Sequence, residues 1–493
     1  MPGPLYIAVD LGAGSGRVFL AGVDPNELFL EEIHRFYYPP VEKDGHLRWD
    51  FAHILAEVKS GLRIAGVRGR ELGRTIDSIG VDTWAVDYGL LNADGELIAD
   101  PVCYRDGRTK RAMEEVFTKV PRAEIFEKTG IQFQRFNTLF QLYSETTRIA
   151  QADKLLLLPD LVNFFLTGIS IAEYTNASTT QMVNAASADW DLDLLNRLKL
   201  PSHFLPKIVP AGTIIGVLKP EIAAEIELVG VRVIAPATHD TASAVAGSPL
   251  AKNWAYISSG TWSLIGVEND KVLINDQVGR HNFTNEGGAF ETFRLLKNVM
   301  GLWIFESCRR EWQASGLDVD YDMILQEVAG ANDFSGFIFP DDERFLNPPS
   351  MTEAIEAQLR ETGQEFDGKP VAVAKIILDS LAFRYASVLR MIESLTGNRL
   401  EGIQVVGGGG RNYYLNRMTA NASGIKVLAG LTEATVVGNV LVQAISNGRF
   451  SSLSEAREHV AGNFSFEEFS PNRSPELEEA AGRYAQIESR FIT

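Results

Sequence analysis

A chain of 493 residues is too long for one ordinary hydrophobic core and favours two domains of roughly 200–250 residues each. With 45% hydrophobic and 22% charged residues it is globular in composition, and a formal net charge of −18 argues against a phosphate-backbone partner, which relies on clustered Lys and Arg. No nucleic acid is expected, and an anionic ligand must be held by backbone N–H groups, helix N-termini and a metal ion.

The N-terminus, MPGPLYIAVDLG, has no basic region followed by an apolar stretch and reads directly as a strand. Residues 6–23 then spell strand, glycine turn and strand: YIAVD, LGAGSGR, VFLAGV. Apolar residues at Phe51, Ile54, Leu55, Val58 and Leu62 predict an amphipathic helix, followed by the strand IDSIGVD and a hairpin turning at Asp94-Gly95. The most apolar segment, LLLLPDLVNFFLTGISIA, is broken by Pro159, Asp160 and Gly168 and fails as a membrane span. No membrane partner and a cytoplasmic location are therefore expected. Strand VRVIAPA leads into Thr238-His239-Asp240-Thr241, and residues 246–250 form the candidate junction between domains 1–246 and 247–493. A second hairpin like the first, AYIS, SGTW, SLIGVE, occupies residues 255–268, so that each half opens on the same device; this duplication predicts a nucleotide held between the halves. Ile377, Leu381, Tyr385, Val388, Ile392 and Leu395 repeat at helical spacing up to a stop at Gly397, and strand GIQVV then runs into four glycines. Together these units predict an α/β fold with loops at the C-terminal ends of strands. The two cysteines, Cys103 and Cys308, have no metal-like spacing and are expected to be buried thiols.

Four places carry candidate chemistry. Asp10, at the end of a strand and followed by Gly12, Gly14, Ser15, Gly16 and Arg17, is a seat for Mg²⁺ and a triphosphate, or a glycine turn with a capping Asp. Asp240 is placed to accept a proton from a substrate hydroxyl, or to cap the helix that follows. VDTWAVDYG, with Asp82, Trp84 and Asp87, pairs carboxylates with an aromatic face as a polyol site does; the alternative has Trp84 in the core and the acids in solvent. VVGGGGRN offers a close-approach surface for a flat ring, with Asn412 or Asn416 as hydrogen-bonding groups, or a tight packing turn. Two nucleotide motifs fail: GQEFDGKP has Pro370 where a P-loop needs Ser or Thr, and GAGSG is followed by a strand where a dinucleotide site needs a helix.

In order, AVDLGAGSGRV, DSIGVDTWAVD, YRDGRT, EYTNAST, HDTASAV, YISSGTWSL, TNEGG, LKNVMGLW and VVGGGGRN resemble the FGGY carbohydrate kinases over about residues 6–450. The resemblance implies an actin-like, ribonuclease-H-like two-domain α/β ATPase fold with an interdomain cleft, the N-terminal domain binding sugar and the C-terminal domain nucleotide. It implies ATP and Mg²⁺, a small-molecule ketose as partner, and transfer to O1 of L-rhamnulose, with L-fuculose or xylulose as alternatives, by a monomer or homodimer. It places the phosphates on Ala13, Gly14, Ser15, Gly16 and Arg17, proton acceptance on Asp240, and sugar contacts on His239, Asp240 and Thr241. Thr261, Asn298 and Gly407, Gly408 and Gly409 match further nucleotide contacts. Two positions depart from the pattern: Ala85 stands where members have Gly at a sugar contact, and Glu306 where they have Gln at an ATP contact. A carboxylate there is unfavourable beside a triphosphate unless Mg²⁺ or Arg screens it.

Overall fold

A computed structural model describes residues 3–145, 148–317, 319–331 and 334–492. The chain forms two compact units, each assembled from three stretches: Met1–Pro249, Glu268–Leu295 and Ala434–Phe464 in the first, and Leu250–Val267, Leu296–Glu433 and Ser465–Thr493 in the second.

In the first unit six strands lie in the order Ile214–Val217, Arg232–Ile234, Ile76–Thr83, Leu5–Gly12, Ser15–Asp24, Glu27–Tyr37. Leu5–Gly12 and Ser15–Asp24 are the predicted antiparallel hairpin, closing with Gly12 opposite Ser15 so that only Ala13 and Gly14 form the turn. Gly14 has φ +133°, which is open to glycine. Ile76–Thr83 adds in parallel to Leu5–Gly12, and Arg232–Ile234 in parallel to Ile76–Thr83. Helix Phe51–Glu71 begins where Asp50 accepts the His53 N–H at 3.0 Å and buries Phe51, Ile54, Val58 and Leu62 in the core with Ile7, Val9, Leu20 and Val81.

The second unit repeats the scheme. Six of the seven strands of its sheet lie in the order Phe293–Met300, Trp262–Asn269, Trp254–Ser259, Gly402–Val406, Val427–Ala429, Glu467–Phe469, and Trp254–Ser259 and Trp262–Asn269 are its antiparallel hairpin. Gly402–Val406 adds in parallel to Trp254–Ser259, as Ile76–Thr83 does to Leu5–Gly12. Helix Pro370–Thr396 starts on a proline, whose missing N–H costs nothing there, and stops at Gly397 with φ +70°.

The turn predicted at Asp94-Gly95 forms, but Tyr88–Leu91 pairs antiparallel with Lys154–Leu157 rather than with the chain beyond the turn, where only a Leu91–Leu97 bridge occurs. The apolar run from Leu155 divides into that strand and helix Leu158–Thr167. No described helix is long and apolar enough to cross a membrane. Cys103 and Cys308 are buried and free, and burial pushes both thiols up to about 12.

Candidate active site

Three carboxylates gather at the C-terminal edge of the first unit's sheet, where α/β folds place their ligands. Asp10 and Asp82 are register partners on adjacent parallel strands. Asp240 opens helix Asp240–Gly247 at the end of the segment after Arg232–Ile234, and the Thr83 N–H donates to the Thr238 carbonyl at 2.9 Å, which continues the ladder into this segment. Asp10 is bonded to the Arg17 guanidinium across the hairpin. Asp82 is fully buried: Oδ2 accepts from Asn439 Nδ2 at 2.6 Å, and Oδ1 has no hydrogen-bond donor. Loss of solvent pushes its pKa well above the usual carboxylate range, with the Asp10 charge adding to the rise.

Asp240 differs from both, since its side chain remains 31% exposed. Among the described residues every hydrogen bond to its carboxylate falls on Oδ1, from Thr241 N at 2.5 Å and Thr241 Oγ1 at 3.1 Å. The helix cap is His239, without a side-chain bond, so Asp240 is the first helical residue and not the cap. Desolvation raises its pKa, opposed by His239 and reinforced by Asp10. His239 Nε2 lies 3.4 Å from Asp240 Oδ1, and Nδ1 faces Arg294 and Glu286.

Trp84 packs in the core, but the acids around it are also buried, contrary to an alternating strand with its acids in solvent. The strand ends at Thr83 and Val86 takes φ +71°, a conformation a β-branched residue adopts only under constraint. Asp87 turns inward to accept from Trp49 Nε1 at 2.7 Å, Trp84 Nε1 at 3.0 Å, Gln141 Nε2 at 3.0 Å and Tyr104 N at 3.2 Å. It anchors the aromatic wall, while Ala85 stays partly exposed at the bend.

Around Ala13, Gly14, Ser15 and Gly16 the hairpin turn is held by Tyr38, whose hydroxyl donates to Gly12 O at 2.7 Å and Ser15 O at 3.0 Å and whose N–H donates to Gly14 O at 3.0 Å.

In the second unit, Thr261 is exposed at the hairpin turn, and its carbonyl accepts the N–H groups of Gly301 at 3.1 Å and Trp303 at 3.2 Å, at the start of helix Trp303–Ala314. Asn298 lies half-buried on strand Phe293–Met300. Glu306, in the helix's first turn, accepts from Arg309 Nη1 at 2.8 Å, so an arginine does screen it. The Arg309 guanidinium lies 5.2 Å from the Tyr321 ring centroid, and Asn412 donates to the Tyr321 hydroxyl at 3.3 Å. Glu306 and the glycine loop are thereby linked. Gly407 has φ +80°, a Cβ on Gly409 would run into Ser259 Oγ, and one on Gly408 would meet open space. Asn412 caps helix Tyr413–Ser423 through Leu415 N at 2.9 Å, and Asn416 donates to Gly410 O at 2.9 Å, so both amides shape the loop.

Several residues of the site carry no motif. Glu173 accepts from Thr175 N, Thr175 Oγ1, Thr238 N and Thr238 Oγ1 at 2.5–2.9 Å, fastening the chain just before His239. On helix Ala434–Ser446, Asn439 binds Asp82 and the Gly80 carbonyl, and Gln443 binds Asn439, Ser78 and the Ile7 carbonyl. The spacing of Asn439 and Gln443 at four residues in an apolar helix is a signal that the sequence does contain.

Among the described residues no three His, Cys, Asp or Glu side chains form a closed metal-binding group. The pair Asp10 and Asp82, with one oxygen of Asp82 lacking a donor, suits an ion that takes one or two carboxylates and completes its shell with phosphate and water, as Mg²⁺ does.

The N-terminal domain pattern of the FGGY family of carbohydrate kinases matches residues 5–247, and the C-terminal domain pattern matches residues 255–447. A rhamnulokinase of Bacteroides thetaiotaomicron is 41% identical over 471 residues, 94% of this chain and 96% of that protein. One of Ligilactobacillus salivarius is 38% identical over 490 residues, 99% of this chain and 98% of that protein. The fold is that of a xylulose kinase from Lactobacillus acidophilus, with TM-score 0.79 at 17% identity over 99% of this chain and 97% of that one. A gluconate kinase from the same species gives TM-score 0.80 at 16% identity over 99% of both. The chain belongs to the FGGY family of carbohydrate kinases.

Proposed function

We propose that this kinase transfers the γ-phosphoryl group of ATP to O1 of L-rhamnulose, giving L-rhamnulose 1-phosphate and ADP. The sugar follows from the relatives named rhamnulokinase at 38–41% identity over nearly the whole chain. The chemistry rests on one observation: Asp240 is partly exposed, its hydrogen bonds all engage Oδ1, and Oδ2 is left to take a proton.

In this assignment His239, Asp240, Thr241, Asp82, Trp84 and Ala85 belong to the sugar site of an N-terminal domain of residues 1–246. Nucleotide contacts fall to the hairpin at Ala13–Arg17 and, within residues 247–493, to Thr261, Asn298, Glu306 and Gly407, Gly408 and Gly409. Asp240 removes the O1 proton as O1 forms its bond to the γ-phosphorus, and ADP leaves with the electron pair of the broken P–O bond. Asp10, with Asp82 beside it, would hold Mg²⁺, which supplies neutralisation of phosphate charge.

General-base removal costs roughly 10²–10⁴-fold. Asp240→Asn is therefore expected to lose about that factor in kcat while retaining ATP binding by calorimetry, and a near-normal kcat overturns the assignment. The acid limb of kcat/KM is expected above the ordinary aspartate value of 3.8, because the folded state raises Asp240 and the base must be ionised. A ketose panel in an ADP-coupled assay decides the sugar: L-rhamnulose is expected to give the highest kcat/KM, above L-fuculose and xylulose.

A further inference from the structure

We propose that Arg294 is a positioning residue that fixes the tautomer of His239, so that the imidazole turns a proton toward Asp240 and a lone pair toward Arg294. The inference builds on the role assigned to Asp240.

Arg294 sits at the start of strand Phe293–Met300, in the stretch Glu268–Leu295 of the first unit, with 0% exposure, and its guanidinium is held twice: Nε donates to the Gly287 carbonyl at 2.9 Å, and Nη2 is 3.1 Å from Glu286 Oε2. The same Nη2 lies 3.1 Å from His239 Nδ1. A guanidinium has five N–H donors, no acceptor, and no accessible deprotonated state. Nδ1 must therefore present its lone pair, since an N–H there would oppose a donor. Glu286 Oε2 is also near Nδ1, at 3.4 Å, but the hydrogen bond at Nδ1 is the one from Arg294 Nη2 at 3.1 Å. With Nδ1 accepting, the ring proton of neutral His239 resides on Nε2, which faces Asp240 Oδ1 at 3.4 Å.

The opposite tautomer would place an imidazole lone pair against the Asp240 carboxylate. It would repel Oδ1, loosen the orientation set by Thr241, and remove a donor from the side where the sugar is assigned. The Nε2–H tautomer sets the positive N–H edge of the ring, rather than a lone pair, 3.4 Å from Oδ1 and leaves Oδ2 as the basic oxygen. Glu286 balances the buried cation, so the pair is retained at little net charge.

Long-range ¹H–¹⁵N correlation spectra of the full chain labelled at its 7 histidines test this, with His239 assigned by its loss in His239→Gln. The expected wild-type spectrum has a protonated Nε2 and a bare Nδ1. An Arg294→Met/Glu286→Met double variant removes the donor without orphaning a buried carboxylate or adding another N–H beside Nδ1. It is expected to show His239 as a tautomer mixture, with kcat lowered by up to about 10²-fold and KM for ATP unchanged. Arg294→Lys, which keeps a cationic donor, is expected to retain the wild-type tautomer and recover part of kcat. A wild-type spectrum with Nδ1 protonated overturns the proposal without any variant, so it stays testable even if the double variant fails to fold. A double variant that keeps both the wild-type tautomer and the wild-type kcat overturns it as well. Failure of the base assignment looks different: Asp240→Asn would then turn over normally while the His239 spectrum stayed as expected.

Discussion

Glu173 and Asp87 show how a fully buried carboxylate holds a site together through the donors it gathers. Four donors converge on Glu173, two from Thr238 alone, and a hydrogen bond to a buried charged group contributes about 1.5–3 kcal/mol. Glu173→Gln turns an NH₂ group toward those donors. It is expected to lower the unfolding midpoint in urea and, because His239 follows Thr238, to reduce kcat more than KM for ATP; an unchanged midpoint and kcat would remove Glu173 from this role. Neither carboxylate is distinguishable in the sequence from a surface acid. The donors to Asp87 come from Trp49, Trp84, Tyr104 and Gln141, and only folding brings them together. Alternation placed Asp82 and Asp87 in solvent because it assumes one wet face and a strand that continues; residues 78–83 are buried on both faces, and the strand ends at Thr83 before Asp87. The screening of Glu306 is the reverse case, since Arg309 lies three residues on along one helix and is legible from spacing alone.

Helices Ala434–Ser446 and Asp240–Gly247 meet backbone to backbone. A Cβ on Gly438 would run into the Ser243 carbonyl oxygen and lie 2.8 Å from Gly247 N. Gly438→Ala must therefore push apart the helix that carries Asp240 and the helix that carries Asn439. Overpacking of this kind costs about 1–3 kcal/mol, and the variant is expected to lose that stability together with activity. Gly482→Ala, in helix Pro475–Glu488 with nothing within 4 Å of the new Cβ, should instead gain about 0.5–1 kcal/mol. Equal midpoints for the two variants in chemical denaturation would refute the close-contact account. The paired hairpins were legible because a two-residue turn between apolar strands is a local signal. The partner of Tyr88–Leu91 was not, since Lys154–Leu157 is distant in sequence and nothing near the turn marks it.

At the level of the whole molecule, the α/β character and the repeated strand order follow from patterns within each half. The way the chain is shared between the units does not, because it depends on contacts between stretches far apart in sequence. Ala434–Ser446 buries nearly its whole circumference, and Asn439 and Gln443 supply bonds to Asp82, the Gly80 carbonyl, Ser78 and the Ile7 carbonyl. A fragment of residues 1–249 lacks that helix. It is expected to bind a hydrophobic dye and melt without a sharp transition, whereas a fusion of residues 1–295 through a flexible linker to 434–464 should melt cooperatively; a sharply melting fragment would show that the helix is dispensable. The same three-stretch assembly governs biosynthesis. At ribosomal rates of about 5–20 residues per second, the newborn polypeptide waits about 10–40 s between emergence of the first stretch and arrival of the helix that completes it, with the rest of the second unit threading out meanwhile. The first unit therefore cannot close until its last stretch has been translated.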